Sequence, residues 1–375
     1  MSPSARRARG IVRSSGAARR DERPSRRHES RLVRPARPRE SRLVRICVVG
    51  AGAIGGLVGA GLAQAGEEVT LLDVGPRLEA MRRDGLTIVA NDAPPRSVRD
   101  FRLTDSFREP GRQDVVVLGL KAHVIGEVAE DMRLLYGPDT VLVTLQNGIP
   151  WWYFQRHGGE LEGWRLKSVD PDGRIAEHVE PERIIGCVAY PAATVERPGI
   201  IRHVYGRRFP VGELDGSRSD RVRAIAELFE RGGFDSLVVE DIRAEIWLKA
   251  VGVLAFNSIS ALTHATMAEI CAHQATRRLA VELMSEAQAV AEALGVTLRV
   301  PIERRLRGAE KVGDHRTSML QDVEAGRRLE VEALVGSVVE IGQRLGVPTP
   351  FIEEINACVQ LLDRHIHVAM HETAE

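Results

Sequence analysis

The first sustained apolar pattern begins at Ile46. A short β-branched run, Ile46 to Val49, stops at Gly50-Ala51-Gly52-Ala53-Ile54-Gly55; a helix of small residues follows to Gly66, then a second run, "EVTLLD", ending at Asp73. Two later runs, "DVVVLGL" from Asp114 and "TVLVTLQNG" from Thr140, are almost continuously apolar, as parallel strands buried on both faces are. The pattern predicts strand, tight glycine turn, helix and strand, then further strands of the same sheet. No charge occurs from Ile46 to Gly66, a length that also suits a membrane span, but the glycine placement favours the turn and helix.

Beyond residue 183 the pattern changes twice. "RIIGCVAYPAATVERPGIIRHVYGRRFPVGEL" reads as strands with turns at Pro198-Gly199 and Tyr205-Gly206, followed by a helix over Asp220 to Arg231 and a short strand, "SLVVED". A domain boundary is expected near Asp241. Past it, amphipathic stretches at Arg277 to Leu294 and Leu329 to Leu345 predict a helical bundle. The expected organisation is an α/β part over 44–241 and a helical part over 242–375.

Composition changes this picture in one place. The 375 residues balance 52 basic against 52 acidic side chains, but residues 1–43 hold fourteen Arg, no Lys and only four acids, which leaves 38 basic against 48 acidic in the body. An acidic body is a poor partner for nucleic acid, whose affinity rests on neutralised phosphates. The Arg-rich extension has too few large apolar residues to offset the cost of ordering, and disorder is expected there. It reads first as upstream sequence translated from a misplaced start, and otherwise as a basic arm or transit segment. The four cysteines are far apart and read as buried free thiols in a reducing cytoplasm. No metal-ligand spacing is apparent among the histidines.

Chemistry enters at the glycine turn. In GxGxxG, Gly50 permits the turn, Gly52 lets backbone approach a pyrophosphate, and Gly55 packs the helix on the sheet; with Ala53 and Ile54 they open a helix whose free amides suit phosphate. Asp73, at the end of the second strand, is placed to accept from an adenosine ribose. A carboxylate there favours NAD over NADP, with Arg77 near enough to compensate. Lys121 and Asn147 follow strand ends and are candidates to contact cofactor or substrate. Within "EIWLKAVGVLAFNSISALT", helical period places Lys249, Gly252, Val253, Phe256, Asn257 and Ser260 on one face. An ammonium there needs a carboxylate or a wet cleft. Ser318 and Asp322 share a helical face further on, and Glu330 opens an amphipathic run.

These motifs in order, GAGAIGG at Gly50, LKA at Leu120, LQNG at Leu145, WLKAVGVLAFNSISALT at Trp247 and TSMLQDVEAGRRLE at Thr317, resemble the ketopantoate reductase family over residues 44–365. The resemblance implies a Rossmann-type, doubly wound parallel sheet followed by an all-helical domain, with the active site between them. It implies NADP(H) or NAD(H) as cofactor, no metal, and reduction of a 2-keto acid, foremost 2-dehydropantoate to pantoate in pantothenate biosynthesis. Lys249 matches the proton donor and Glu330 the acid that positions substrate and cofactor. Asn257 and Ser318 match substrate-binding positions and Asp322 a supporting one. Asn147 matches the cleft asparagine and Lys121 a cofactor-side lysine.

The chain also departs from that pattern. Val253 stands where members often have a second asparagine, and Asp73-Val74-Gly75 stands where NADP users commonly have arginine. The connection near 149–183 is longer than usual and carries Trp151, Trp152, Tyr153 and Phe154, which could roof the cleft, stack on nicotinamide or plug a gap between domains. Two rivals follow: the same hydride chemistry on a bulkier 2-keto or hydroxy acid, and a dinucleotide-binding sensor or adaptor without turnover. A small-molecule partner, a cytoplasmic location and no membrane are expected, with a homodimer left open.

Overall fold

The computed structural model describes residues 43–91 and 93–372, with side chains to 368; the expectations for residues 1–42 lie outside the described residues. The chain runs β1 (Arg45–Val49), α1 (Ala53–Gln64), β2 (Glu68–Leu72) and α2 (Gly75–Asp84). Next come β3 (Leu86–Ala90), β4 (Ala93–Val98), β5 (Arg102–Thr104), β6 (Gln113–Leu118), α3 (Ala122–Met132) and β7 (Tyr136–Thr144). After a long connection containing α4 (Arg174–His178) follow β8 (Ile184–Cys187), β9 (Ala192–Arg197), β10 (Ile200–Tyr205), β11 (Val211–Glu213) and α5 (Asp220–Arg231). The rest is helical: α6 (Ile242–Thr263), α7 (Met267–Ala272), α8 (Gln274–Ala293), α9 (Ile302–Val312), α10 (Ser318–Glu324), α11 (Ser337–Leu345) and α12 (Pro350–Glu372).

The larger sheet has the order β11-β8-β7-β6-β1-β2-β5, parallel throughout except where β11 meets β8. Its central strands are covered on both faces, with Ile46, Cys47, Val48, Val116 and Val117 all inaccessible, which accounts for their continuous apolar runs. The chain leaves β1 toward β2 and later returns on the other side as β6. That reversal opens a crevice beyond the strand ends, where open α/β sheets bind ligands. Val49 pairs with both Leu72 and Leu118, so Gly50, Asp73 and Gly119 come level at its rim.

A second sheet, β4-β3-β10-β9, lies beside the first. The strand pattern foretold β9 and β10, but not β3 and β4. The sheet packs on the open side of α1, where a Cβ at Gly56 would come within 2.5 Å of Ile201 Cδ1. The expected strand "SLVVED" is reduced to a bridged segment: Asp235 and Val238 make isolated parallel bridges to Arg208 and Val211, the Val211 amide donates to the Leu237 carbonyl (2.9 Å) and the Val239 amide to the Val211 carbonyl (2.8 Å), while Leu237 is exposed. Of the cysteines expected to be buried, Cys358 is instead exposed, on the outer side of α12.

The helical region is organised around α6, which packs against α8, α10 and α12. Asp241 caps its start by accepting from the Ala244 amide, and His264 ends it in the left-handed region at φ 57°. Among the described residues α6 is the one helix long and apolar enough to cross a membrane, and 67% of its apolar window is buried inside the protein.

Trp151, Trp152, Tyr153 and Phe154 are buried to 2% exposure or less and fill the space between the end of β7 and α6. Trp152 Nε1 donates to Thr144 Oγ1 (3.1 Å), and Trp247 Nε1 donates to the Tyr153 hydroxyl (2.8 Å). The geometry is that of a plug between sheet and helices, with Trp152, of the four, also lining the small cavity beside Lys249.

Candidate active site

The glycine turn after β1 is shaped by what its residues leave out. Gly50 has φ +92°, which L side chains rarely adopt. A Cβ at Gly55 would lie 2.0 Å from the Gly50 carbonyl oxygen, whereas one at Gly52 would meet nothing within 4 Å. Gly55 is thus needed for packing, while the space at Gly52 is open to a ligand. No side chain caps α1, so the amides of Ala53, Ile54 and Gly55 point outward without intrahelical partners. Open space, free amides and a helix dipole fit a pyrophosphate.

Asp73 sits level with this turn but is already engaged. Its Oδ2 accepts from the Ala51 amide (3.1 Å) and Arg77 Nε (2.9 Å); its Oδ1 accepts from the Val74 amide (2.7 Å) and an Arg77 terminal nitrogen (2.7 Å). Four donors fill the roughly four lone-pair positions of a carboxylate. The bare ribose acceptor expected from sequence is therefore covered by Arg77 in this conformation.

The second group of residues is assembled from distant segments. The ammonium of Lys249 donates to Asn147 Oδ1 and to the Ala189 carbonyl, each at 2.6 Å. Asn147 Nδ2 donates in turn to Glu330 Oε2 (3.3 Å), and the Ala122 amide at the start of α3 donates to Glu330 Oε1 (3.0 Å). Lys249, Asn147 and Glu330 thus form one hydrogen-bonded chain across the end of β7. Burial lowers the Lys249 pKa to about 8, opposed by the Glu330 charge. Burial raises that of Glu330, opposed by the Ala122 amide and by Lys121. Cys187 is close enough to the lysine to interact, but burial pushes its thiol up and it stays neutral.

This meeting depends on a close approach that sequence reading missed. Gly148 has φ +78°, and a Cβ there would fall 2.1 Å from the Ala333 carbonyl oxygen. The same carbonyl accepts from the Ile149 amide (2.8 Å) and from Ser337 Oγ (2.9 Å). The run expected as a plain amphipathic helix accordingly contains a π-helical turn at Glu332–Gly336, where an intruding donor widens the helix. The turn begins two residues after Glu330.

The remaining predicted residues fall into two pairs. Asn257 Nδ2 donates to Ser318 Oγ (3.1 Å), two helical turns from Lys249 and about 12 Å along α6. Lys121 Nζ binds Asp322 (2.6 Å) and the Arg328 carbonyl (3.1 Å), while Arg327 also pairs with Asp322. The Lys121–Asp322 pair ties the end of β6 to α10. Sequence reading also missed the Ala189 carbonyl and the Ala122 amide, because backbone atoms carry no residue signature. Gln146 was missed as well; its amide nitrogen and oxygen are buried without a partner, beside a cavity of about 20 Å³ that Lys249 and Val253 also line, room for one water. Among the described residues no three His, Cys, Asp or Glu side chains converge as metal ligands.

Comparison with known proteins agrees with this arrangement. Residues 46–216 match the family model described as Ketopantoate reductase PanE/ApbA, and residues 241–363 match Ketopantoate reductase PanE/ApbA C terminal. A 2-dehydropantoate 2-reductase from Mesorhizobium japonicum is 47% identical over 319 residues, 85% of this chain and 97% of that one. Among solved structures, one from Ralstonia solanacearum MolK2, provisionally assigned as a ketopantoate reductase, is 39% identical with TM-score 0.82 and coverage of 86% and 99%. The 2-dehydropantoate 2-reductase of Geobacter metallireducens is 27% identical with TM-score 0.75 and the same coverage. With the parallel sheet, the helical region and the residues above, these matches establish that the chain belongs to the ketopantoate reductase family.

Proposed function

We propose that this chain is an NAD(P)H-dependent 2-keto acid reductase and that its substrate is 2-dehydropantoate, reduced to pantoate in the cytoplasm. The observation that carries the reading is Lys249: a half-buried ammonium between sheet and helices, beside a small cavity, with its pKa lowered to about 8 and held by two acceptors that leave one N–H to point elsewhere. A dinucleotide lying along Gly50, Gly52, Ala53, Ile54 and Gly55 would supply hydride to the 2-carbon of the acid. Lys249 gives its proton to the carbonyl oxygen as charge develops there, which suits an acid whose pKa is close to working pH. Asn147 holds the ammonium in place and links it to Glu330, which orients the hydroxyl groups of substrate and cofactor. Asn257 and Ser318 bind the far end of the substrate, and the Lys121–Asp322 pair keeps sheet and helices in register. In this reading residues 44–241 bind the dinucleotide and 242–375 complete the substrate site.

The cofactor reading follows from Arg77. With Asp73 covered by its guanidinium, the rim presents an arginine, and NADPH is accepted. Val253 beside Lys249 gives the same chemistry on a bulkier acid a foothold, since it removes a hydrogen-bonding group from the wall. The test is oxidation of NADPH and NADH with 2-dehydropantoate and a panel of larger 2-keto acids. Turnover is expected first with 2-dehydropantoate; preference for an aromatic acid moves the substrate, and turnover with none removes the enzyme reading.

A further inference from the structure

Gln146 is the one polar member of "LQNG" that the site described above leaves without a task. Both atoms of its side-chain amide, Nε2 and Oε1, are buried without a partner among the described residues. A buried polar atom left unbonded is costly, so an amide unbonded at both ends calls for an explanation. The space that supplies one is the cavity of about 20 Å³ that Gln146 lines together with Asn147 and Lys249.

The rest of this cavity has little hydrogen bonding to offer. On the α6 side, Ile246, Ala250 and Val253 bring no polar side chain beside Lys249. Opposite, the Thr144 hydroxyl is engaged by Trp152 Nε1 (3.1 Å), and the Asn147 amide is spent in joining Lys249 to Glu330. Cys187 is kept neutral by burial and donates only weakly. The donors left over are the third N–H of Lys249 and the amide of Gln146. The volume is about that of a single water oxygen, too small for a carboxylate.

We propose that this cavity receives the 2-oxo oxygen of the keto acid and that Gln146 is a further catalytic residue, donating a hydrogen bond from Nε2 to that oxygen beside Lys249. The inference rests on the reductase reading given above. In the step itself C2 accepts a hydride from the reduced dinucleotide, the C=O π pair moves onto the oxygen, and the oxygen takes a proton from Lys249, which is left as the neutral amine beside the oxidised dinucleotide. Gln146 transfers nothing. Its N–H, carried at the end of β7, is aimed where negative charge gathers, and the bond strengthens as that charge grows. Such a donor acts on the transition state more than on the bound acid.

The test is Gln146→Leu, which nearly keeps the volume and removes both polar atoms, made in the full chain and assayed with 2-dehydropantoate and whichever of NADPH and NADH the wild type uses. We expect kcat to fall by about 10²–10³-fold, with cofactor affinity and the thermal unfolding midpoint held. Binding to the complex with oxidised dinucleotide gives a readout that a merely structural role would not move. Pantoate should bind the variant about tenfold more weakly than the wild type, whereas the analogue with hydrogen in place of the 2-hydroxyl should bind both alike. Gln146→Met, unbranched and without a donor, carries the same comparison if leucine at this position does not fold. A kcat within threefold of the wild type overturns the inference and leaves the cavity to a resident water; equal weakening of both acids overturns it as well. A wild-type chain that turns over no 2-keto acid removes the reductase reading, and the inference with it.

Discussion

The glycine turn and the Lys249 cluster lie at the same rim of one sheet, yet they are built in opposite ways. In the turn, five neighbouring residues and an aspartate 22 positions from Ala51 fix the geometry, and the functional atoms are backbone amides. In the cluster, Lys249 reaches 102 residues back to Asn147, which reaches 183 residues forward to Glu330. The first is a local consequence of missing side chains; the second exists only when sheet and helices are packed. Damage to the turn should therefore weaken a ligand, whereas damage to the cluster should slow the chemistry.

The sharpest break in that comparison is Lys249→Ala. If Lys249 is the general acid proposed above, its loss is expected to lower kcat by about 10²–10⁴-fold with little change in cofactor affinity, because proton transfer matters only in the transition state. Steady-state kinetics beside a cofactor titration checks this, and equal losses in both would place the lysine in ground-state binding. The pH dependence carries the same sign. In the proposed role Lys249 must be protonated to donate, so kcat for reduction should be level below pH about 8 and fall as pH rises through it; a fall beginning only near the ordinary lysine range would mean that burial does not govern the group.

Next in size is Gly148→Ala, which attacks the assembly and leaves every reacting group in place. The new methyl would strain the backbone at φ +78° and collide with the Ala333 carbonyl, pushing the π-helical turn and Glu330 away from Asn147. A loss of about 2 kcal/mol in stability and about a hundredfold in kcat is expected, read by thermal unfolding and turnover. The contrasting control is Gly52→Ala, where open space would admit the methyl into the protein but not beside a pyrophosphate, so cofactor affinity should fall while stability holds. If both variants behaved alike, the distinction between local and assembled sites would fail.

The same distinction explains what could be read from the chain. The turn was legible because glycine spacing has a steric meaning that needs no fold, and Lys249 was legible because a charge in an apolar helix demands a reason. Their partners were not: nothing in "LQNG" says that its asparagine meets a helix a hundred residues on, and nothing before Ser337 announces a π-helical turn. The strand at "SLVVED" shortened to isolated bridges and the added β3 and β4 have one cause. A strand is stabilised by the edge available to it, and edges are set by topology.

Arg77→Ala is the smallest expected effect and acts on the local site alone. Its guanidinium covers all that is left of the Asp73 carboxylate, and its side chain is 42% exposed, so its removal should cost little stability. It should, however, uncover two lone pairs of a buried carboxylate. A free carboxylate at this strand end accepts from a ribose 2′-hydroxyl and repels a 2′-phosphate, so the ratio of kcat/KM for NADPH to that for NADH should fall by about tenfold, or about 1.4 kcal/mol. Asp73→Ala is a poorer probe of the same point, because that carboxylate also holds the Ala51 amide and its loss would disturb the turn itself. An unchanged ratio in Arg77→Ala would mean that Asp73 does not set cofactor choice in either state. Discrimination would then have to come from elsewhere on the rim, and the local site would prove less local than its sequence suggests.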